Sequence, residues 1–440
     1  MRFLELASDP ELVPIGEKVL AGERLDHDDG VRLMTTRDIL TVGALADRRR
    51  RQVVGDEVYY TNNINMNPTN ICVARCKLCA FGLPFGSEGT YTLTHDMVRE
   101  RARFAAEHGI QEVHIVGGLN PLLDLDHFTT FLDIVREEHP SAYIQGFTAV
   151  EIDYLAKREK TDWETILVAL RSAGLVALPG GGAEVLNDRI HAEMCDHKTG
   201  WREWLQIHGV AHGLGMKTNA TILYGHIEDR RERLVHMDML RRAQDEALTR
   251  MGYESAEQGT EARRHEGTEW SEADVRAITL TRPDIPLAHV PAASESDPSS
   301  HRASVPSCLC AGSFQAIIPL PFFPDGSALE HLPGPTGLEN LRTLAICRLM
   351  LDNFPHVKAF WIMQTLGMAQ TMLQCGADDI DGTVVWYDIT KVGGAGTHQE
   401  TTVADLKRVI REAGCTPVER DTLYRRVRRD GKRWWIEAQT

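Results

Sequence analysis

From residue 61 onward the chain alternates between two rhythms. Short runs rich in Val and Ile are followed by longer stretches whose apolar residues recur at helical spacing. The runs predict strands at 63–67, 112–117, 143–149, 175–178, 217–223, 314–320, 357–363 and 382–385. Strands alternating with helices in this way predict an α/β protein, a (β/α)8 barrel. Helix punctuation agrees: Thr94 is placed as an N-cap and Gly109 as a stop. A second helix runs from Thr161 or Asp162 to Gly174, and a third ends at Pro355. Residues 1–60 read as a helical extension. One helix there ends near Gly22 and another starts at Thr35 or Thr36. The run Arg48–Arg51 reads as a solvated helix end that complements the helix dipole.

One segment breaks the rhythm. Residues 247–311 are rich in acids, Ser and Pro and poor in large apolar residues. They read as a disordered or weakly ordered surface insertion, with one short helix capped by Ser271 and Asp274. The expected organisation is a helical segment over 1–60, the first part of the barrel over 61–246, and the insertion over 247–311. The rest of the barrel spans 312–400, and a C-terminal helix and tail span 401–440. In that tail Trp434 and Trp435 are expected to pack.

The 440-residue chain carries a net charge of −15, which disfavours nucleic acid and anionic membrane surfaces as partners. No window is apolar enough to span a bilayer, and the first residues do not read as a signal peptide. Nine cysteines, three clustered and the rest scattered, suit a reducing cytoplasm better than a disulfide framework.

Cys72, Cys76 and Cys79 are spaced C-x3-C-x2-C in the loop after the first barrel strand. Three thiolates so close can ligate three irons of a 4Fe–4S cluster and leave the fourth iron open to the amine and carboxylate of a small molecule. The bland readings are unconnected thiols or half of a zinc site. For zinc, the next candidate ligand, His95, lies outside the usual spacing. In a barrel the loops at the strands' C-terminal ends build the active face. Gly117 and Gly118 end the second strand there, where the lack of a Cβ lets a ligand's amino group approach. Gly180, Gly181 and Gly182 end the fourth, and Glu184 either holds ribose hydroxyls or caps the next helix. Asn219 and Thr221 point into the barrel or form a buried pair. His226 and Glu228 end the fifth strand, as catalytic groups or as structural ones. Asp378, Asp379 and Asp381 precede the last strand as caps or as substrate contacts. Thr397 and His398 follow it. Cys308 and Cys310 either bind metal or are ordinary thiols.

The cysteine spacing, with Phe81 two residues beyond the last thiol, resembles the signature of the radical S-adenosylmethionine enzymes. NMNPTNICVARCKLCAF, HIVGGLNP, LPGGGAEVLNDRI, NATILYGHIE, GSFQAIIPLPFFP, LMLDNFPHVKAFW and GADDIDGTV together resemble the menaquinone and deazaflavin branch of that superfamily. Within the branch they are most similar to the aminofutalosine synthases, over residues 15–246 and 312–428. The insertion and the stretch VWYDITKVGGAGTHQE depart from that pattern. The resemblance implies a 4Fe–4S cluster on Cys72, Cys76 and Cys79, with S-adenosyl-L-methionine as co-substrate. It implies a low-potential electron donor such as flavodoxin or ferredoxin, and an aryl enol ether substrate. Sister reactions of the branch and a non-catalytic metal-binding scaffold are the alternatives. The cofactor contacts expected are Phe81, Gly117, Gly118, Gly181, Gly182, Glu184 and Asn219. His226, Glu228 and Asp381 are the catalytic candidates.

Overall fold

The computed structural model describes residues 4–195, 197–252, 312–389 and 400–438. The strands are β1 (Glu57–Thr61), β2 (Asn63–Asn65), β3 (Glu112–Ile115), β4 (Tyr143–Gly146), β5 (Leu175–Leu178), β6 (Lys217–Tyr224), β7 (Phe314–Pro321), β8 (His356–Val357) and β9 (Asp379–Gly382). After them come β10 (Thr416–Glu419), β11 (Val427–Asp430) and β12 (Arg433–Ile436). Strands β2 to β8 form one seven-stranded parallel sheet in sequence order. The eighth strand, β9, completes the ring. Lys358 bridges to Asp379 on one side of it, and Val385 bridges to Ile64 on the other. The backbone of Asn65 donates to the Val385 carbonyl at 2.8 Å. All eight expected barrel strands are present, and the chain is a TIM-type α/β fold.

Helices between the strands cover the outside, and their caps follow side-chain chemistry. Thr94 accepts from the Met97 N–H and Asp162 from the Thr165 N–H, as expected. Gly109 and Gly174 take positive φ just past their helices, where a Cβ would be strained. Thr148 with Glu151, and Asp229 with Glu232, form reciprocal capping boxes.

Several expectations are corrected. The extension is not helical throughout, because β1 follows its last helix and lies between β10 and β9 in a second parallel sheet. That last helix, Ile39–Val54, is capped by Asp38 and not by Thr35 or Thr36. Arg50 within the basic run is fully buried, held by Asp47 at 2.8 Å and by the Gly55 carbonyl at 2.9 Å. The strand expected over 357–363 stops at Val357, and Trp361–Met363 form a short 3-10 helix. There the Trp361 indole donates to the Gly382 carbonyl at 2.9 Å, which ties the turn across to β9. The last barrel strand begins at Asp379, so Asp379 and Asp381 lie within it and do not precede it. The helix Arg230–Arg250 runs through the expected boundary at 247. The rest of the insertion with Ser271, Asp274, Cys308 and Cys310, and also Thr397 and His398, lie outside the described residues.

The N-terminal ends of the strands are closed by the C-terminal segment. Arg420 is 2% exposed and reaches Asp379 at 2.6 Å and Glu112 at 3.5 Å. Thr422 donates to Glu112 at 2.9 Å, and Gln315 donates to the Thr422 carbonyl at 2.9 Å. The Tyr424 ring stacks on His356 at 3.8 Å. This plug forms a polar floor in which Arg420, Asp421 and Thr422 are buried. Beyond it β11 and β12 form a hairpin, where Trp434 packs toward Tyr143 and Trp435 stays exposed. No helix among the described residues is long and apolar enough to cross a membrane.

Candidate functional site

The three clustered cysteines sit in the long loop leaving β2, at the end of the barrel opposite the floor. Backbone bonds hold that loop. Cys72 N–H donates to the Leu83 carbonyl, Leu83 to Asn70 and Val73 to Leu119. Lys77 N–H donates to Met194 at 2.8 Å, which docks the loop on the end of the helix Asp188–Met194. The Asn70 side chain clamps Gly89 and Tyr91. Phe81 meets the Tyr91 ring edge to face at 6.5 Å.

The thiols are half-buried and free. A Cβ on Gly82 would stand 3.6 Å from the Cys72 sulfur and 3.8 Å from the Cys79 sulfur, so both border one small space that glycine leaves open. The Gly82 N–H donates to the Cys79 sulfur at 3.4 Å. Burial pushes the Cys79 thiol up, and Cys76 and Cys72 push it further, so the three thiols feel one another. Cys76 also faces Cys195, whose hydrogen bond, together with burial, raises it. Among the described residues no three His, Cys, Asp or Glu side chains converge as they would around one ion. Thiolates around a four-iron cube each take a separate iron and stand farther apart. The donor set and the space at Gly82 fit a cluster.

Gly118 seats this loop. A Cβ there would collide with the Ile71 carbonyl and lie 3.1 Å from the Cys72 Cβ. The expected approach of a ligand amino group at Gly118 is therefore replaced by the approach of the loop itself. The Gly117 N–H donates to Glu151 at 3.0 Å. Glu151 is buried, and burial pushes its carboxyl up to about 7 against the pull of the Thr148 cap.

The glycine run after β5 is also close-packed. A Cβ on Gly180 would press on Ala220, and Thr221 donates to the Gly180 carbonyl at 2.6 Å. Trp204 donates to Gly181 at 3.1 Å. Lys198, absent from the sequence reading, donates to the Gly182 carbonyl at 3.0 Å and pairs with Glu184. Burial opposes the charges of both, yet the Glu184 pKa is lowered and the Lys198 pKa raised, because each neutralises the other. Cys195 and Cys76 add to the field at Lys198. Glu184 thus caps no helix; Asn187 caps the next one. The Oδ1 atom of Asn219, on the neighbouring strand, has no partner among the described residues.

His226 and Glu228 are held by their own turn. Glu228 accepts from the Gly225 N–H at 2.6 Å, the His226 N–H at 2.9 Å and Arg233 at 2.6 Å. One His226 ring nitrogen lies 3.0 Å from the Leu223 carbonyl, and the other accepts from Ile227 at 2.7 Å. Asp378 is consumed by Arg348 and by His356 at 2.6 Å. Asp381 is different. It lies in β9 at φ 67 and meets Lys358 at 3.3 Å inside the barrel. Among the described residues, Asn65, Asn67 and Gln364 are buried and keep polar atoms without partners. Lys358, Asn67 and Gln364 escaped the sequence reading because single polar residues in or beside a strand carry no period. Glu151 left one signal, its position three residues after Thr148.

Comparison with known proteins agrees with this architecture. Residues 66–240 match the Radical SAM superfamily, and residues 311–432 match the CofH/MqnC C-terminal region. The aminodeoxyfutalosine synthase of Thermus thermophilus is 36% identical over 96% of this chain and 97% of its own. That of Streptomyces coelicolor is 33% identical over 94% and 93%. The 5-amino-6-(D-ribitylamino)uracil–L-tyrosine 4-hydroxyphenyl transferase of Methanoculleus marisnigri is 31% identical over 94% and 97%. Among solved structures, methylornithine synthase (PylB) superposes with a TM-score of 0.62 at 15% identity, covering 91% of this chain and 96% of its own. The maturase HydG of Carboxydothermus hydrogenoformans gives 0.63 at 12%, covering 94% and 81%. The chain belongs to the radical S-adenosylmethionine superfamily of enzymes, in the branch that carries the CofH/MqnC C-terminal region.

Proposed function

We propose that this enzyme catalyses the aminodeoxyfutalosine synthase reaction of menaquinone biosynthesis. The observation that carries this reading is the near full-length similarity to two enzymes of that name, 36% and 33% identical. A 4Fe–4S cluster held by Cys72, Cys76 and Cys79 would supply the electron that cleaves S-adenosylmethionine to methionine and a 5′-deoxyadenosyl radical. The substrate is 3-[(1-carboxyvinyl)oxy]benzoate. Addition of the adenosyl group to its enol double bond, migration onto the ring and loss of a carboxylate as CO2 (bicarbonate once hydrated by water), with one electron returned and one proton released, would give 6-amino-6-deoxyfutalosine.

In this reading Cys72, Cys76 and Cys79 hold the cluster, and Gly82 and Gly118 let their loop close. Lys198 offers an ammonium to the cofactor's carboxylate beside Cys76. Gly117, Gly181, Gly182 and Asn219 line the cofactor's bed, with Glu184 keeping Lys198 charged. Phe81 shields the cluster side. His226 and Glu228 position the turn after β6. Asp381 and its neighbours face the substrate. The plug at the floor keeps bulk water and stray hydrogen donors from the radical. A low-potential carrier such as flavodoxin or ferredoxin supplies the electron. Arg75 and Lys77, exposed between the cysteines and without ion pairs among the described residues, suit an acidic carrier on an otherwise acidic chain. A reduced cluster and free thiols suit the cytoplasm.

The 31% identity to a tyrosine 4-hydroxyphenyl transferase favours one second reading, a deazaflavin-type reaction in which the radical abstracts hydrogen. Cyclic dehypoxanthine futalosine synthase chemistry would also abstract. Anaerobic incubation of reconstituted enzyme with S-adenosylmethionine and each substrate, followed by mass spectrometry, separates them. An adduct containing the adenosyl carbon is expected from the aryl enol ether. Free 5′-deoxyadenosine with a different substrate, and no adduct, would overturn the proposal.

A further inference from the structure

The inside of this barrel is polar along one arc. In register, Asn65 of β2 faces the same way as His114 of β3 and Gln145 of β4. His114 Nδ1 lies 3.0 Å from the Asn65 side-chain oxygen Oδ1, and the Asn65 Nδ2 has no partner among the described residues. Among the described residues, both polar atoms of Asn67 and both of Gln364 are unpartnered as well. These three side chains are nine-tenths buried or more. Buried amides of this kind call for a hydrogen-bonding molecule in contact with them.

A cation stands at the base of the same arc. Lys358 follows β8, in register with Asp379, and its ammonium is 3.3 Å from Asp381 of β9. Both side chains are over nine-tenths buried. The groups facing this pair are Asp379, Glu112, His114 and Arg420. Arg420 already neutralises Asp379 and Glu112 from below. Burial pushes the Asp381 carboxyl up, with Asp379 and Glu112 adding to the effect and Lys358 and Arg420 opposing it. An anion arriving here competes with Asp381 for the Lys358 ammonium.

We infer that Lys358 is the anchor for an aryl carboxylate at the barrel floor, with Asn65, Asn67 and Gln364 hydrogen-bonding the polar atoms above it. The identity of the anion rests on the proposed reaction; its chemical class rests on the site. The orientation follows from depth. The cysteine loop leaves the C-terminal end of β2, beyond Asn67, whereas Lys358 pairs in register with an acid that the plug holds. A substrate attacked at its vinyl carbon turns that carbon toward the cluster loop. Its ring carboxylate, the group at the other end, then points to Lys358.

The test uses reconstituted full-length enzyme with S-adenosylmethionine, and calorimetric binding of 3-methoxybenzoate against its neutral isostere 3-methoxybenzamide. Wild type is expected to prefer the benzoate by about ten- to a hundredfold, as one charged hydrogen bond allows. Lys358→Met loses that preference and Lys358→Arg recovers part of it. In turnover, Lys358→Met raises KM for the aryl enol ether by a larger factor than it lowers kcat, and Lys358→Arg recovers part of the KM. Equal binding of the two ligands by wild type, or a preference that survives in Lys358→Met, overturns the assignment. The wild-type comparison needs no variant, so misfolding of one does not shelter the claim. Loss of the adenosyl adduct in wild type, with the benzoate preference intact, would sink the proposed reaction and keep the anchor. An adduct without the preference would do the reverse.

Discussion

The mouth and the floor of this barrel are held together by different physics. At the mouth, backbone groups and glycines do the work. The cysteine loop is fixed by main-chain bonds to Asn70, Leu83, Leu119 and Met194, and Gly82 and Gly118 let it close. At the floor, long side chains from distant parts of the chain pair in the absence of water: Arg420 with Asp379 and Glu112, and Lys358 with Asp381. A site made of backbone tolerates side-chain change except at its ligands and glycines. A site made of buried charges is coupled throughout, because removing one partner strands another. The mouth is therefore expected to fail chemically and the Arg420 plug to fail by unfolding.

The largest effect tests the mouth. Replacing any one of Cys72, Cys76 or Cys79 with Ala is expected to remove turnover and cluster iron while the protein stays folded, as read by iron analysis and circular dichroism. Activity that survives would contradict the ligand set. Next is the floor. Arg420→Met leaves Asp379 and Glu112 buried without their cation and is expected to cost about 3–5 kcal/mol in denaturant unfolding. A cost near zero would mean that the plug is not what closes the barrel.

Lys198→Met joins the two behaviours, because Lys198 is a buried charge at the mouth. It is expected to weaken S-adenosylmethionine binding about ten- to a hundredfold by loss of a charge-assisted bond. Unchanged affinity would confine Lys198 to neutralising Glu184. A smaller effect is expected at the surface. Arg75→Glu with Lys77→Glu should slow turnover about tenfold when flavodoxin is the reductant, and leave turnover with dithionite unchanged. Equal loss with both reductants would place the damage in the cluster loop rather than in docking.

The subtlest contrast is in pH. Glu151 has a folded-state pKa raised from 4.5 to about 7 by burial. Between those values the folded protein binds the extra proton, so stability falls as pH rises from about 4.5 to 7 and levels off above. Glu151→Gln should flatten that part of the profile in denaturant titrations at several pH values. An unchanged slope would move its origin to another group.

The mouth was largely legible in the sequence. A cysteine triplet, a Gly-Gly pair and a Gly-Gly-Gly run are local signals, and all follow barrel strands as the order predicts. The floor was not. Arg420 sits in a tail that reads as polar, and nothing local ties it to residues 112 and 379. Glu228 and His226, readable in the sequence as catalytic or as structural, are spent on their own turn, since a glycine-led turn leaves N–H groups that a nearby carboxylate satisfies. Two of the three acids before Gly382 proved to be structural for the same reason of pairing: Asp378 with Arg348 and His356, and Asp379 with Arg420.

The sequence alone determined the eight-strand rhythm, the helix stops and the place of the cysteines, because strand period, capping and ligand spacing are properties of neighbours along the chain. Only the tertiary structure decided which charges meet inside. Closing the ring carries residues far apart in sequence into one enclosed volume. There, the low dielectric makes each buried charge depend on whichever partner the fold delivers.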